Sequence, residues 1–395
     1  MRTFLILLFA YTLSQFFRAF LAIVAEDLSR DLGLNAADLG AVSASWFAAF
    51  ALAQFPVGYA LDRFGPRRTL GAFMVLAVAG AAWLAAADGF GDALLAMALI
   101  GVGCSPILMA SLYVFGRVYA PERFAMLSSL MIGLGSAGNL LGATPLAWAV
   151  QALGWRGAMA GIAAITAASL ALAIAALKDP PPVERGGADA ARGGLLDILS
   201  MRALWPILPL AALSYAVVIA TRSLWIAPFF DQVHHYGLAE RGNAALLMAL
   251  TMSLGALAYG PIERILGGAK LTTLVGSVLT AGCFLALGLA GSDSAGLALA
   301  LLAAIGAAGL TYGILMAHAR QFFPAHLLGR GVTFMNFLFI GGAGVLQWVS
   351  GLFVQAGRGA GTPPPEVFGA LFLGFGALLA AATLIYLAAP AKPRI

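Results

Sequence analysis

Two arginines stand where arginines are rare. Arg18 lies inside the apolar run 3–25 and Arg222 inside the run 203–230. A cation near the centre of a membrane helix costs about 2.5–3.5 kcal/mol on insertion scales, so it needs a reason to be there. A guanidinium is a planar fork suited to two-point contact with a carboxylate or a phosphate. All seventeen Asp and Glu residues fall in loops or at helix ends, which leaves neither arginine a carboxylate within the runs. A substrate anion is therefore the expected partner. The competing reading is structural: side chains that reach to the surface or bond backbone carbonyls.

Each arginine has company at helical spacing. Tyr11, Ser14 and Gln15 precede Arg18 by seven, four and three residues and share its face. Tyr215 precedes Arg222 by seven, and Trp225 follows it by three. The Tyr–Arg pairs are offset by 204 positions, so the device occurs once in each half of the chain. We count Arg18, Arg222, Tyr11, Ser14, Gln15, Tyr215 and Trp225 as candidate lining of one cavity. Gln54, Asn139, Tyr312 and Asn336 are polar residues within other runs and join them as secondary candidates.

The elements that must carry these residues are membrane helices. The chain has 395 residues, of which 62% are hydrophobic and only 10% charged. Soluble domains carry about 25% charge. Twelve apolar runs are evident, at 3–25, 39–60, 69–87, 92–116, 125–150, 157–177, 203–230, 243–262, 271–290, 295–319, 331–356 and 366–389. The first is read as a span and not as a cleaved leader, because Arg18 does not suit a leader's apolar core. The runs divide six and six around 178–202, whose Pro, Gly and charge mark a linker. The expected fold is thus all-α integral membrane: a six-helix bundle over 1–177, a cytoplasmic linker, and a second six-helix bundle over 203–395.

Basic residues orient the chain. With the N-terminus inside, the outer loops hold only Arg30, Arg156, Arg241 and Arg358; apart from Arg18 and Arg222, the other sixteen of the 22 Lys and Arg fall inside. That asymmetry places both termini in the cytoplasm. It also accounts for the net charge of +5 without nucleic acid. The halves echo each other again, with Asp62-Arg63 answered by Glu263-Arg264 and Pro121 by Pro324. Half-chain repeats are common in secondary transporters.

The segment GYALDRFGPRR, from Gly58 to Arg68, resembles the signature loop between the second and third helices of the major facilitator superfamily. Gly58, Asp62, Arg63, Gly65, Arg67 and Arg68 match it, and GWR at Gly154–Arg156 is also similar. The resemblance covers the whole chain. It implies two pseudo-symmetric six-helix bundles, a central cavity and alternating access. Asp62 would meet the positive N-terminal end of the eleventh helix and hold an inner gate shut. Arg63, Arg67 and Arg68 would assist it, with Glu263 and Arg264 as the counterpart pair.

A narrower resemblance is to the organophosphate:phosphate antiporter, or sugar-phosphate permease-like, branch. Its members place one arginine in the first helix and one in the seventh, where Arg18 and Arg222 stand, and TRSLWIAPFF (Thr221 to Phe230) is similar to their seventh helix. Its phosphate-ester members have a lysine where this chain has Gln54 and a histidine near Ala137. The resemblance implies a small organic or phosphorylated anion moved by exchange across a bacterial cytoplasmic membrane, by a monomer without cofactor.

Other residues suggest weaker alternatives. Met248 and Met252 share a helix face and suit copper(I), though methionine is also common filler. His318 is the one histidine within an apolar run and suits a coupling proton or an interface hydrogen bond. Cys104 and Cys283 read as small buried hydrophobes, and Gly133, Gly135, Gly138 and Gly142 as close-packing positions. No motif of hydrolytic or nucleotide chemistry appears, so an enzyme is not expected. The alternatives are a proton-coupled carrier of a neutral or zwitterionic solute or metal ion, and a non-transporting sensor.

Overall fold

In a computed structural model, the chain is described over residues 2–118, 127, 130–131, 133–177, 179, 195–324 and 328–391. Pro121, Arg123, Lys178, Arg185, Arg192, Lys392, Arg394 and most of the expected linker lie outside the described residues, and so does the side chain of Asp62. Within the expected linker, Leu195–Ser200 is a short helix and Arg202–Leu204 a 3-10 turn.

The described regular structure is helical throughout, as an apolar solvent requires of a chain that must satisfy its own backbone groups. The first span is the bent pair Arg2–Phe16 and Leu21–Leu32. Then come Ala36–Leu61, Arg63–Ala85 and Phe90–Phe115. The stretch Gly133–Ala176 is two spans divided at Gly154. Arg202–His234, Leu238–Leu266, Ala269–Ala290, Ala295–Arg320, Gly331–Gly359 and Pro364–Leu387 complete the set. With Gly133–Ala176 divided in two, the described residues give twelve spans by length and composition, numbered here first to twelfth.

One expectation needs correction. The first span is not one helix over 3–25. It breaks at residues 17–20, where the Arg18 and Ala19 amides bond three residues back, to Gln15 and Phe16, and it turns by 49°. It also runs on to Leu32, which places Arg18 near its middle. In GYALDRFGPRR the second and third helices meet across a tight connection, in which Gly65 alone leaves helical geometry, with φ 79° and ψ 166°.

Gly154 repeats that conformation, with φ 70° and ψ 164°. Positive φ is open to glycine without a Cβ penalty, so each reverses the chain within one residue. In both places a basic residue follows two positions on. Arg67 Nε donates to the Ile174 carbonyl at the end of the sixth span, at 2.7 Å. Arg156 donates to the Ala85 and Ala87 carbonyls at the end of the third, at 3.1 and 2.7 Å. A third case follows Gly268, where Lys270 Nζ reaches the Leu387 and Ala389 carbonyls at the end of the twelfth, at 2.9 and 2.6 Å. A cation on the last carbonyls of a helix meets its negative pole.

The halves join along two seams. Gly40 of the second span packs on Gly351 and Gln347 of the eleventh, and Gly242 of the eighth on Thr144 and Ala147 of the fifth. Hydrogen bonds close these seams on the expected outer side: Ser43 to Gln347, Ala36 to Gln355 at 3.3 Å, and Thr144 to Asn243 at 2.8 Å. Arg241 adds an ion pair to Glu26 across the halves and one to Asp231 at 3.1 Å. Ser253 of the eighth span also donates to Ser136 of the fifth, at 3.4 Å.

Candidate functional site

Among the described residues five spans are interrupted: the fifth at Ser136 and again at 142–143, and four others whose interruptions repeat between the halves. The first breaks at residues 17–20, and the seventh passes through a π-helical turn at Thr221–Trp225. The fourth breaks between Cys104 and Ile107, and the tenth between Gly309 and Tyr312. Broken spans free backbone groups and place side chains at membrane depth where a carrier holds its substrate. π-turns also gather at functional sites.

The breaks converge on the two arginines. Arg18 lies in the first break, near the Tyr11 and Tyr215 hydroxyls and the Cys104 thiol. Its guanidinium is turned inward, over the rings of Phe50 and Trp46 in the second span, at 4.8 and 5.3 Å from their centroids. That contact is worth about 0.5–2 kcal/mol, and it holds the guanidinium against the second span. Arg222 lies in the π-turn of the seventh span and is only 3% exposed. It feels the Tyr215 phenol and is repelled by Arg18, so the structure brings the two cations together across the halves. Among the described residues neither makes an ion pair, and the Nε of each is buried without a hydrogen-bond partner.

The other expected lining residues separate into two groups. Tyr11 accepts from Gln15 Nε2 at 2.5 Å, one turn below Arg18. Ser14 touches Cys104. Tyr215 meets Tyr312 ring to ring at 5.8 Å, and the Tyr312 hydroxyl donates to Asn336 Oδ1 at 2.9 Å. Gln54 donates to the Ser105 carbonyl in the break of the fourth span, at 3.3 Å. Asn139 is half-buried, with an unpaired Oδ1. Trp225 stands apart from this cluster. Its indole nitrogen donates to Ser350 at 2.8 Å and its ring packs on Phe368, which makes it part of the wall between the seventh, eleventh and twelfth spans.

The expected gate residues lie elsewhere. Arg63 donates to the Tyr59 hydroxyl at 2.9 Å and remains exposed. The Arg67 amide donates to Asp179 at 2.7 Å. Arg67, Arg68, Gly71, Ile174 and Asp179 line a surface groove of about 540 Å³, distant from the arginine pair. Glu263 and Arg264 end the eighth span, where the Glu263 carbonyl takes the Gly267 and Gly268 amides at 3.0 and 3.1 Å.

His318 is fully enclosed, between the Pro390 carbonyl at 3.0 Å and the Tyr386 hydroxyl at 2.6 Å, an arrangement that favours the interface reading. Met248 and Met252 are buried core residues. Three of the four fifth-span glycines pack closely, and Gly133 meets open space. Gly135 lies on the Tyr11 ring, Gly138 on the Thr12 carbonyl and Gly142 on Ala19.

Sequence reasoning missed Trp46, Phe50 and Cys104 around Arg18. Trp46 and Phe50 stand four apart, which an ordinary buried helix face also shows, and only their contact with a cation distinguishes them.

The Major Facilitator Superfamily model matches residues 7–346. No curated protein matches the chain. Among solved structures, an inward-facing, unoccupied bacterial homolog of the human lysosomal transporter Spinster is similar at 17% identity and TM-score 0.80, covering 98% of this chain and 96% of that one. A D-xylose–proton symporter is similar at 15% identity and TM-score 0.78, covering 99% and 98%. A POT family transporter in complex with 5-aminolevulinic acid is similar at 14% identity and TM-score 0.76, covering 98% and 94%. These likenesses establish a shared fold.

Proposed function

The chain belongs to the Major Facilitator Superfamily, and from that premise we propose that it is a secondary active carrier of a small organic or phosphorylated anion, working by alternating access and by exchange. The observation that carries this reading is the arginine pair: two desolvated cations from opposite halves, with no carboxylate partner among the described residues. Their mutual repulsion strains the empty site. An anion relieves the strain and, by bridging the halves, favours the arrangement in which they close around it. Return without an anion would carry two bare cations through a low-dielectric interior, where repulsion is least screened. That favours exchange over one-way transport.

The experiment is counterflow in proteoliposomes. Vesicles preloaded with an anion should take up labelled anion faster than empty ones. Binding with no flux under either condition would assign the protein to the sensors instead.

We place the protein in a bacterial cytoplasmic membrane, as a monomer with both termini and the 178–202 linker inside, on the asymmetry of its basic residues. A periplasmic reporter active when fused within 180–194 would overturn this topology.

A further inference from the structure

We propose that the arginine site selects an organic carboxylate with a flat, hydroxyl-poor body, an aromatic carboxylate being the type, over a sugar phosphate or sugar acid. This rests on the reading of Arg18 and Arg222 as an anion site and specifies what the anion carries behind its charge.

The walls of the site are rings. Phe50 and Trp46 lie against each other at 5.0 Å with planes 20° apart, and Arg18 covers both. In the other half, Tyr215 meets Tyr312 at 5.8 Å, and Tyr312 meets Phe339 at 4.5 Å. Trp46 and Phe339 are fully buried behind, so the ring surface nearest the arginines is that of Phe50, Tyr215 and Tyr312, from the second, seventh and tenth spans. One face of the Arg18 guanidinium lies on rings and the group also bonds the Tyr215 hydroxyl, so its unpaired Nε is what is left for the anion.

The polar groups nearby are largely spent on one another. Gln15 is bound to Tyr11, Tyr312 to Asn336, and Gln54 to the Ser105 carbonyl. Donors for one charged group remain, but a ring of hydroxyls would find few partners. Each hydroxyl buried unpaired works against binding. A planar apolar body stacks on the rings and gains from the same surface.

The test compares benzoate with glucuronate, two monocarboxylates on six-membered rings that differ in planarity and hydroxyls, with glucose 6-phosphate as the third probe. Calorimetry on the purified full chain is expected to show benzoate binding at least tenfold more tightly than either. Tyr312→Leu should narrow that ratio, because it removes a ring from the wall and keeps both arginines. Equal or tighter binding of glucuronate or glucose 6-phosphate by the unaltered protein overturns the inference while leaving the anion site standing. If none of the three binds, and Arg18→Lys leaves the protein's thermal response to all three unchanged, the inference and the anion reading fall together. The comparison on the unaltered protein decides the matter even if Tyr312→Leu does not fold.

Discussion

Arg18 and Arg222, one from each half of the chain, both act on the Tyr215 phenol and repel each other. A charge-keeping substitution tests what that geometry is for. Arg18→Lys and Arg222→Lys keep the cation and lose the fork. Charged hydrogen bonds are worth about 1.5–3 kcal/mol, so each variant should bind anion roughly 10- to 150-fold more weakly. The double variant should lose less than the two single losses combined, because both arginines hold one ligand. Calorimetry on the four proteins measures this. Unchanged binding and exchange in both single variants would make the arginines structural.

Asp62 is proposed to act at the inner gate and not on the substrate. Asp62→Asn should leave anion affinity within a few-fold of the parent and lower the turnover of exchange by tenfold or more. Affinity and exchange rate at saturation separate the two roles. A loss confined to affinity would move Asp62 into the binding site.

The expected outer face is held by Arg241, which pairs with Glu26 across the halves and with Asp231 in its own. Arg241→Gln leaves those carboxylates facing each other without their cation. It should shift the protein toward an outward-open form. With Cys104 and Cys283 replaced, a single cysteine introduced at Ser43, beneath this seam, should react faster with a membrane-impermeant thiol reagent added from outside. No gain in reactivity would show that the helix packing alone keeps the face shut.

Gly138 lies against the Thr12 carbonyl, where a methyl group has no room. Gly138→Ala should push the first and fifth spans apart and cost about 1–3 kcal/mol, the range for overpacking. Gly133→Ala meets open space and serves as the control. Thermal unfolding in detergent should rank Gly138→Ala clearly below Gly133→Ala.

The twelve spans were legible because a bilayer imposes length and apolarity on every one, and the repeat because Tyr11 and Arg18 recur intact at Tyr215 and Arg222. The break in the first span was not legible. Residues 17–20 read Phe-Arg-Ala-Phe, without glycine or proline, so nothing local announces the turn. It arises where the chain must bring Arg18 over Trp46 and Phe50, a tertiary demand. Trp225 shows the converse error. Spacing put it beside Arg222, but a π-turn does not keep the 3.6-residue register, and the indole turns to Ser350 instead.

The three basic clips at Arg67, Arg156 and Lys270 bear on mechanics. Arg67 fastens one end of the third and sixth spans and Arg156 the other, like two rivets through a plate, while Lys270 pins the ninth to the twelfth. Because every clip joins spans of the same half, none crosses the line along which the halves part. A plate riveted in this way swings as a unit. The compliance needed for transport is then left to the interrupted spans, of which the first and the seventh carry the arginines.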